Sequence, residues 1–353
     1  MTGVDQAGGA ALQIRRWTAA SRISTVVVTV GIAALAVVPF TLNDNAVQQL
    51  TSLLIFVILG GMWNALAGYG GMVSVGQQGF IGLGAYGTIL LTQHGVPPYL
   101  AMLMAAIGAG ILALPISVLV LRLRGGQFAI GTWVVAAALG LLVALDGNLG
   151  GGTGISLTTL NVYDETNRGA YTYWVTLGFT VLVLVSSLLL LRSRHGAALQ
   201  AIRDDEEAAS AAGVRVLPQK LALFVLAAFG CGAAGAMILA NTLFIQPQSI
   251  FGIQWTAYMI FMVLVGGLGT FEGPIVGALI FFGIQYEFAD SGAWYLIGLG
   301  ATAVFFALVL PRGLWSLVEE RLAVQLLPVG YRLVRKTVVQ PGAAPQDRQV
   351  RDG

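Results

Sequence analysis

Ten times along this chain the sequence stays apolar long enough to dictate where it can fold: at about 23–40, 50–67, 78–93, 99–121, 128–145, 172–191, 220–241, 254–268, 275–289 and 293–311. A helix of about 20 residues crosses a hydrocarbon core about 30 Å thick, because each residue adds about 1.5 Å of rise. Hydrophobic residues make up 57% of the chain and charged ones only 10%, against roughly 45–50% apolar in a soluble domain. The expected fold is an all-α membrane protein, a polytopic bundle of about ten transmembrane helices. The runs at 78–93, 254–268 and 275–289 are short or glycine-rich and read either as full spans or as half-helices.

Threading these runs with residues 1–22 in the cytoplasm gives a test of the count. Seventeen of the 18 basic residues then fall on the inner face, with Arg168 alone outside. One span more or fewer would scatter those clusters across both faces. The division that follows is a cytoplasmic segment 1–22, a membrane domain 23–311 and a cytoplasmic segment 312–353 whose Pro/Gly/Ala-rich end is expected to be disordered. Inside the membrane domain lie an outer loop, 146–171, and an inner polar island, 192–219. Arg15 and Arg16 before the first run, with Ala34-Leu35-Ala36 inside it, imitate an export signal. The run is long for a signal core, so it reads as a retained first helix.

What the chain lacks narrows its chemistry. Asp146, Glu272, Glu287 and Asp290 sit at span ends or in loops, leaving no titratable group at depth for a proton relay. No Gly-x-x-x-x-Gly-Lys-Ser/Thr loop is present, so the chain cannot be its own ATPase. One cysteine, Cys231, and two distant histidines, His94 and His195, exclude an internal disulfide and offer no metal cluster. Neither a catalytic constellation nor a nucleic-acid partner is expected. The glycines of 146–171 flank no phosphate-binding strand and helix; that loop is either a plain outer turn or a contact for a soluble partner outside the cell.

Polarity inside the membrane is uncharged. Asn64 lies in the second run and is followed by Gly68-Tyr69-Gly70-Gly71-Met72-Val73-Ser74-Val75-Gly76-Gln77-Gln78-Gly79-Phe80, too rich in glycine for a plain helix and too apolar for a water-side loop. Broken backbone at membrane depth is tolerated where it is buried in protein or lines a cavity. Asn64, Ser74, Gln77, Gln78 and Phe80 are therefore candidates to line a passage; the alternative is hydrogen bonding between helices. Gly60-Gly61, Gly108 with Gly110, Gly230 with Gly232 and Gly235, and Gly266-Gly267 with Gly269 suit close helix approach.

The inner island at 193–214 carries four consecutive acids, Asp204, Asp205, Glu206 and Glu207. It reads as two short helices, the second capped by Asp204 with Glu207 completing a capping box, and ended by Gly213. Such an element either joins two spans as a solvated hairpin or receives a push from a soluble motor.

Three stretches resemble one family, the permease subunits of branched-chain amino-acid ABC importers of the LivM type. The first is 66–86, with Gly68-Tyr69, Ser74, Gly76-Gln77 and Gly82-Leu83-Gly84-Ala85-Tyr86. The second is 196–214, with Ala201-Ile202-Arg203-Asp204. The third is Gly266-Gly267-Leu268-Gly269-Thr270-Phe271-Glu272-Gly273-Pro274-Ile275-Val276-Gly277-Ala278. They cover less than a fifth of the chain, in the family's order. The island departs from the family pattern at Ala198, where Arg is common, and at Asp205, where Asn is common. Gln77-Gln78 is likewise a departure.

The resemblance implies an ATP-driven importer in the inner membrane, with N- and C-termini cytoplasmic. This chain would pair with a second permease, two cytoplasmic ATPases holding ATP and Mg, and an extracytoplasmic binding protein. It also implies that the island is the coupling helix seated on an ATPase, a role carried onto Ile202, Arg203, Asp204, Asp205, Glu206, Glu207 and Gly213. A secondary transporter or facilitator acting without an ATPase is the alternative function.

Overall fold

The computed structural model describes residues 11–15, 19–288, 292–310, 313–322 and 332–336; Asp290 and the Pro/Gly/Ala-rich tail lie outside them. Helices dominate. They are α1 (Ala19–Thr41), α2 (Asp44–Asn64, prolonged by a π-helical turn Ala65–Tyr69), α3 (Gln77–Gln93), α4 (Pro98–Val120) and α5 (Gly126–Leu145), then α6 (Glu165–Arg192), α7 (Arg194–Asp204), α8 (Glu206–Ala211) and α9 (Val216–Thr242). A short α10 (Pro247–Ile250) leads into α11 (Gln254–Gly266), α12 (Gly273–Phe288), α13 (Ala293–Val309) and α14 (Gly313–Leu322).

Each of the ten apolar runs coincides with a helix. Length and composition mark seven of the described helices, not ten, as full crossings. The apolar part of α1, Val26–Thr41, is short, and α3 and α12 have only 17 and 16 residues, below the roughly 20 that a core needs.

Polar residues start and stop these helices locally. The Asn43 side chain accepts the Ala46 N–H at 2.9 Å to open α2, with Asp44 in its first turn. In α6, Glu165 stands in the first turn and Arg192 in the last, each opposite in sign to the helix-dipole end it meets. The polar first turns carry α6 beyond its apolar run, so part of the expected outer loop, 146–171, is helix.

The centre of the bundle is α2 and α9, both mostly buried, while α5 and α13 turn most of their apolar surface outward. Leu119, Ile130, Leu141 and Leu142 remain exposed, as side chains facing lipid do. α9 packs on α3 and α4 through glycine faces: a Cβ on Gly84 would lie 1.9 Å from the Gly232 carbonyl oxygen, and one on Gly235 1.9 Å from that of Ile81. Apolar burial gains little when the solvent is hydrocarbon, so close van der Waals approach has to hold such helices together. Gly108, expected to serve the same purpose, instead faces open space.

Long-range contacts sort the connections into two ends. Arg203 reaches Gly68, Arg124 reaches Glu206, and Asn64 reaches Thr270, which gathers the connections near 68–76, 121–125, 193–215 and 267–272 at one end. Asp44 bonds Thr166, Gln93 bonds Asn148 and Gln48 bonds Asn241 at the other. There a two-residue strand pairing, Ile155–Ser156 with Phe244–Ile245, clasps the long loop. Tyr99, Tyr163, Tyr171 and Trp174 cluster there too, as aromatic side chains do at a membrane–water boundary. These pairings follow the alternation of faces read from the basic residues. A further antiparallel pair, Ala11–Arg15 with Arg332–Lys336, brings the two terminal segments together.

Candidate functional site

The island is a rigid two-helix element. The Ser193 hydroxyl accepts the His195 N–H at 3.1 Å to start α7. Gly196, Leu199 and Ile202 are buried along one face, three residues apart, the spacing that places side chains on one stripe of a helix. His195 Nδ1 lies 2.7 Å from Gln219 Oε1, tying α7 to the base of α9.

The second helix, α8, has a different cap from the one expected. Asp205, not Asp204, is extended (φ −158°, ψ 108°), and its Oδ1 accepts the N–H groups of Glu207 and Ala208, each at 2.9 Å. Asp204 instead ends α7 and takes two bonds from the Arg203 guanidinium, at 3.0 and 2.8 Å. The shift of one residue removes the capping box, because the third helical position is then Ala208. Gly213 does end α8: at φ +87° it donates to Ser210 O, and Val214 donates to Ala209 O. That pair of bonds closes the helix as a Schellman motif, which needs the left-handed backbone glycine adopts freely.

Apart from Gly213, the island residues divide into two groups of three. Ile202 is buried, Glu206 is held by Lys220 and lies 3.6 Å from Arg124, and Arg203 reaches back into the bundle. Asp204, Asp205 and Glu207 stay exposed on the outer side of the element, where Glu207, Ser210 and Ala211 border a notch of about 500 Å³. Arg124 and Lys220 escaped notice in the sequence except as members of basic clusters. The available signal was their position as bases flanking an acid run across neighbouring inner connections.

Arg203 makes the contact that joins the island to the broken segment. Its Nη1 donates to the Gly68 carbonyl at 2.8 Å. A Cβ on Gly71 would lie 3.1 Å from Arg203 Cα, so chain and island touch backbone to backbone. Beyond Tyr69 the chain leaves the π-helical turn, passes Gly71 at φ +66° and returns Met72 N–H to Leu66 O at 2.9 Å. From the end of α2, Asn64 clamps the hairpin between α11 and α12: Nδ2 donates to Thr270 O at 2.7 Å, and Oδ1 accepts Gly269 N–H at 2.8 Å. Gly68 fits between them because it lacks a Cβ, which would stand 2.5 Å from Asn64 Oδ1 and 2.6 Å from Gly269 N.

The remaining polar candidates lie buried beside this joint. Ser74, Gln77, Gln78 and Phe80 are all 4% exposed or less. Trp63 Nε1 donates to Ser74 O at 2.9 Å, Gln77 Nε2 to Ser74 Oγ at 3.3 Å, and the Thr256 hydroxyl to Gln78 Oε1. Gln77 Oε1 has no hydrogen-bond partner among the described residues. Phe80 meets Phe224 edge to face at 5.5 Å. Together they form a polar seam among α2, α3 and α11, closed to the surface in this conformation. Among the described residues no group of histidine, cysteine and acid side chains could hold a metal ion.

Residues 45–310 match the protein family described as "Branched-chain amino acid transport system / permease component". The chain is 29% identical over 315 residues to the high-affinity branched-chain amino acid transport system permease protein LivM of Escherichia coli, covering 80% of this chain and 73% of that one. The LivM protein of Salmonella typhimurium shows the same identity and coverage. This chain is also 27% identical over 202 residues to the fructose import permease protein FrcC of Rhizobium meliloti, covering 53% of this chain and 55% of that one.

Proposed function

The chain belongs to the branched-chain amino acid transport permease family, and we propose from that premise that it forms half of the translocation pathway of an ATP-driven importer for branched-chain or other amino acids, or related small polar solutes. It is a multi-pass membrane transport subunit of the ABC type and not an enzyme. In this reading it sits in the inner membrane with both termini and the island cytoplasmic. A second permease completes the pathway, an extracytoplasmic binding protein delivers solute, and two ATPases carry ATP and Mg. Relatives named for branched-chain amino acids and for fructose have net-neutral cargo in common, which suits a membrane interior without charge.

The observation that carries this reading is the island. A capped, glycine-terminated helix keeps its shape under load, whereas a loose loop would absorb displacement. In the proposed mechanism an ATPase engages the exposed side at Asp204, Asp205 and Glu207. Movement of α7 and α8 then pulls on Gly68 through Arg203 and on the α11–α12 hairpin through Asn64. Separating α2, α3 and α11 at that joint exposes Ser74, Gln77 and Gln78 to the solute.

The test is ATP-dependent uptake by the reconstituted complex, with Glu206→Lys and Glu207→Lys introduced together. Weakened ATPase docking with an intact bundle is expected, since Glu206 also loses Lys220 and Arg124. Uptake that persists with every ATPase removed and follows only the membrane potential would instead establish a secondary transporter.

A further inference from the structure

Two cavities meet at the island end of the bundle. One, of about 390 Å³, lies beneath the broken segment, lined by Gly71 and Met72, by Phe128 near the foot of α5 and by Lys220 of α9. The other is the notch of about 500 Å³ along α8. Among the described residues, Arg124 and Glu206 alone line both, so these two side chains form the wall between the cavities. The wall is uneven. The Lys220 side chain, 12% exposed, holds Glu206 from one side. The Arg124 side chain is 67% exposed and approaches Glu206 and Glu207 only to 3.6 Å each, beyond hydrogen-bond length. Its carbonyl accepts Gln127 N–H at 3.1 Å, which fixes the backbone at the foot of α5 and leaves the side chain to swing. Departure of Arg124 strands no buried charge, since Glu206 keeps Lys220 and the Glu207 side chain is 86% exposed to water.

We propose that Arg124 is the movable half of an ionic gate, closed on Glu206 and Glu207, between the cavity beneath the broken segment and the notch at the island. The proposal rests on the import function above and adds to it a gate that the island itself operates. Arg124 belongs to the connection between α4 and α5, whereas both acids belong to α8. An ATPase that moves the island therefore moves the acids relative to Arg124, and the pairs break and re-form with each cycle. Exposed ion pairs are weak, which suits a contact made and broken repeatedly; the Lys220 pair, better shielded from water, stays as the anchor. With Arg124 swung into water, cavity and notch join into one passage. The same helix meets the polar seam, since Val75 N–H donates to Thr132 Oγ1 of α5 at 3.2 Å. The gate thus stands at the foot of a helix whose side borders Ser74, Gln77 and Gln78.

The experiment uses the whole importer in inside-out membrane vesicles, with Met72→Cys in this chain as reporter and a membrane-impermeant maleimide added to the medium. Met72 is 5% exposed; the chain's own Cys231 is buried and serves as a silent background. With Arg124 in place, the labelling rate is expected to differ about fivefold between the nucleotide-free complex and one holding a non-hydrolysable ATP analogue, the change that two exposed pairs can produce. With Arg124→Gln the faster rate is expected in both states, and Arg124→Lys should fall between. In a second variant, Arg124→Cys with Glu207→Cys, a flexible thiol-reactive cross-linker is expected to abolish ATP-dependent uptake and a reductant that cleaves it to restore uptake. Labelling that ignores either nucleotide or Arg124, or full uptake by the cross-linked importer, overturns the gate alone. Absence of ATP-dependent uptake in the unsubstituted complex overturns the import function and the gate with it.

Discussion

Replacing Arg203 tests whether force passes from island to membrane as the geometry suggests. Its guanidinium donates once to the Gly68 carbonyl and twice to Asp204. A hydrogen bond from a charged donor contributes about 1.5–3 kcal/mol, and a side chain 37% exposed belongs at the lower end because water screens it. The Asp204 pair is local to the island and adds about 0–1 kcal/mol to its stability, not to the link. Arg203→Gln should therefore weaken the connection by about 1.5 kcal/mol, roughly tenfold. Arg203→Lys, which keeps the charge and one donor, should lose about half of that. The assay is leucine imported per ATP hydrolysed in proteoliposomes, with ATPase docking followed by co-purification. Docking and ATP hydrolysis should persist while uptake per ATP falls, with Lys intermediate. Unchanged uptake per ATP, or loss of docking in step with uptake, would refute the transmission argument.

Asp205→Ala removes both capping bonds of α8 at a cost of about 1 kcal/mol. It should weaken titrated ATPase binding about fivefold, whereas Asp204→Ala should matter far less; the reverse order would return the cap to Asp204. Gly84→Ala forces a Cβ against the Gly232 backbone and should destabilise by about 1–3 kcal/mol or more. Gly108→Ala points into open space and should leave the thermal midpoint in detergent unchanged or raised; equal midpoints for the two variants would undo the packing account. Gln77→Leu and Gln78→Leu should alter uptake with ATPase binding unchanged, the latter by leaving the Thr256 hydroxyl only the long bond to Val75 O at 3.5 Å. Normal uptake kinetics in both would leave these side chains a purely helix-bonding role.

Much of this architecture is legible in the sequence because its causes are local or periodic. Apolar length sets the helices, basic residues set which connections share an end, and glycine density marks the break after Tyr69. Adjacent acids defeated the capping argument: Asp204 and Asp205 are the same residue type, and only the backbone turn at Asp205 separates their roles. An Asn at that position, common in the family resembled, would cap equally well, so this departure leaves the island's fold intact. Contacts across large separations left no trace. Arg203 and Gly68 stand 135 residues apart, and Asn64 finds Gly269 at a separation of 205. Gln48 and Asn241 sit near span ends, where polar residues are ordinary; their contact exists only once the helices are packed. Gly108 shows the converse, since a small residue satisfies a motif without any neighbour to meet.

The central position of α9 has a consequence for biogenesis. Its partners α2, α3 and α4 leave the ribosome well before it does, so the face of α3 at Gly84, which meets Gly232 of α9, must wait in lipid for its partner. Bare glycine and alanine surfaces tolerate that delay, because hydrocarbon solvates them and they expose few side-chain polar groups. Synthesis past Thr242 is the moment at which the early helices acquire their keystone; a ribosome arrested before it would hold α3 packed on α4 and α2 packed on α6, without the helix that ties those pairs together.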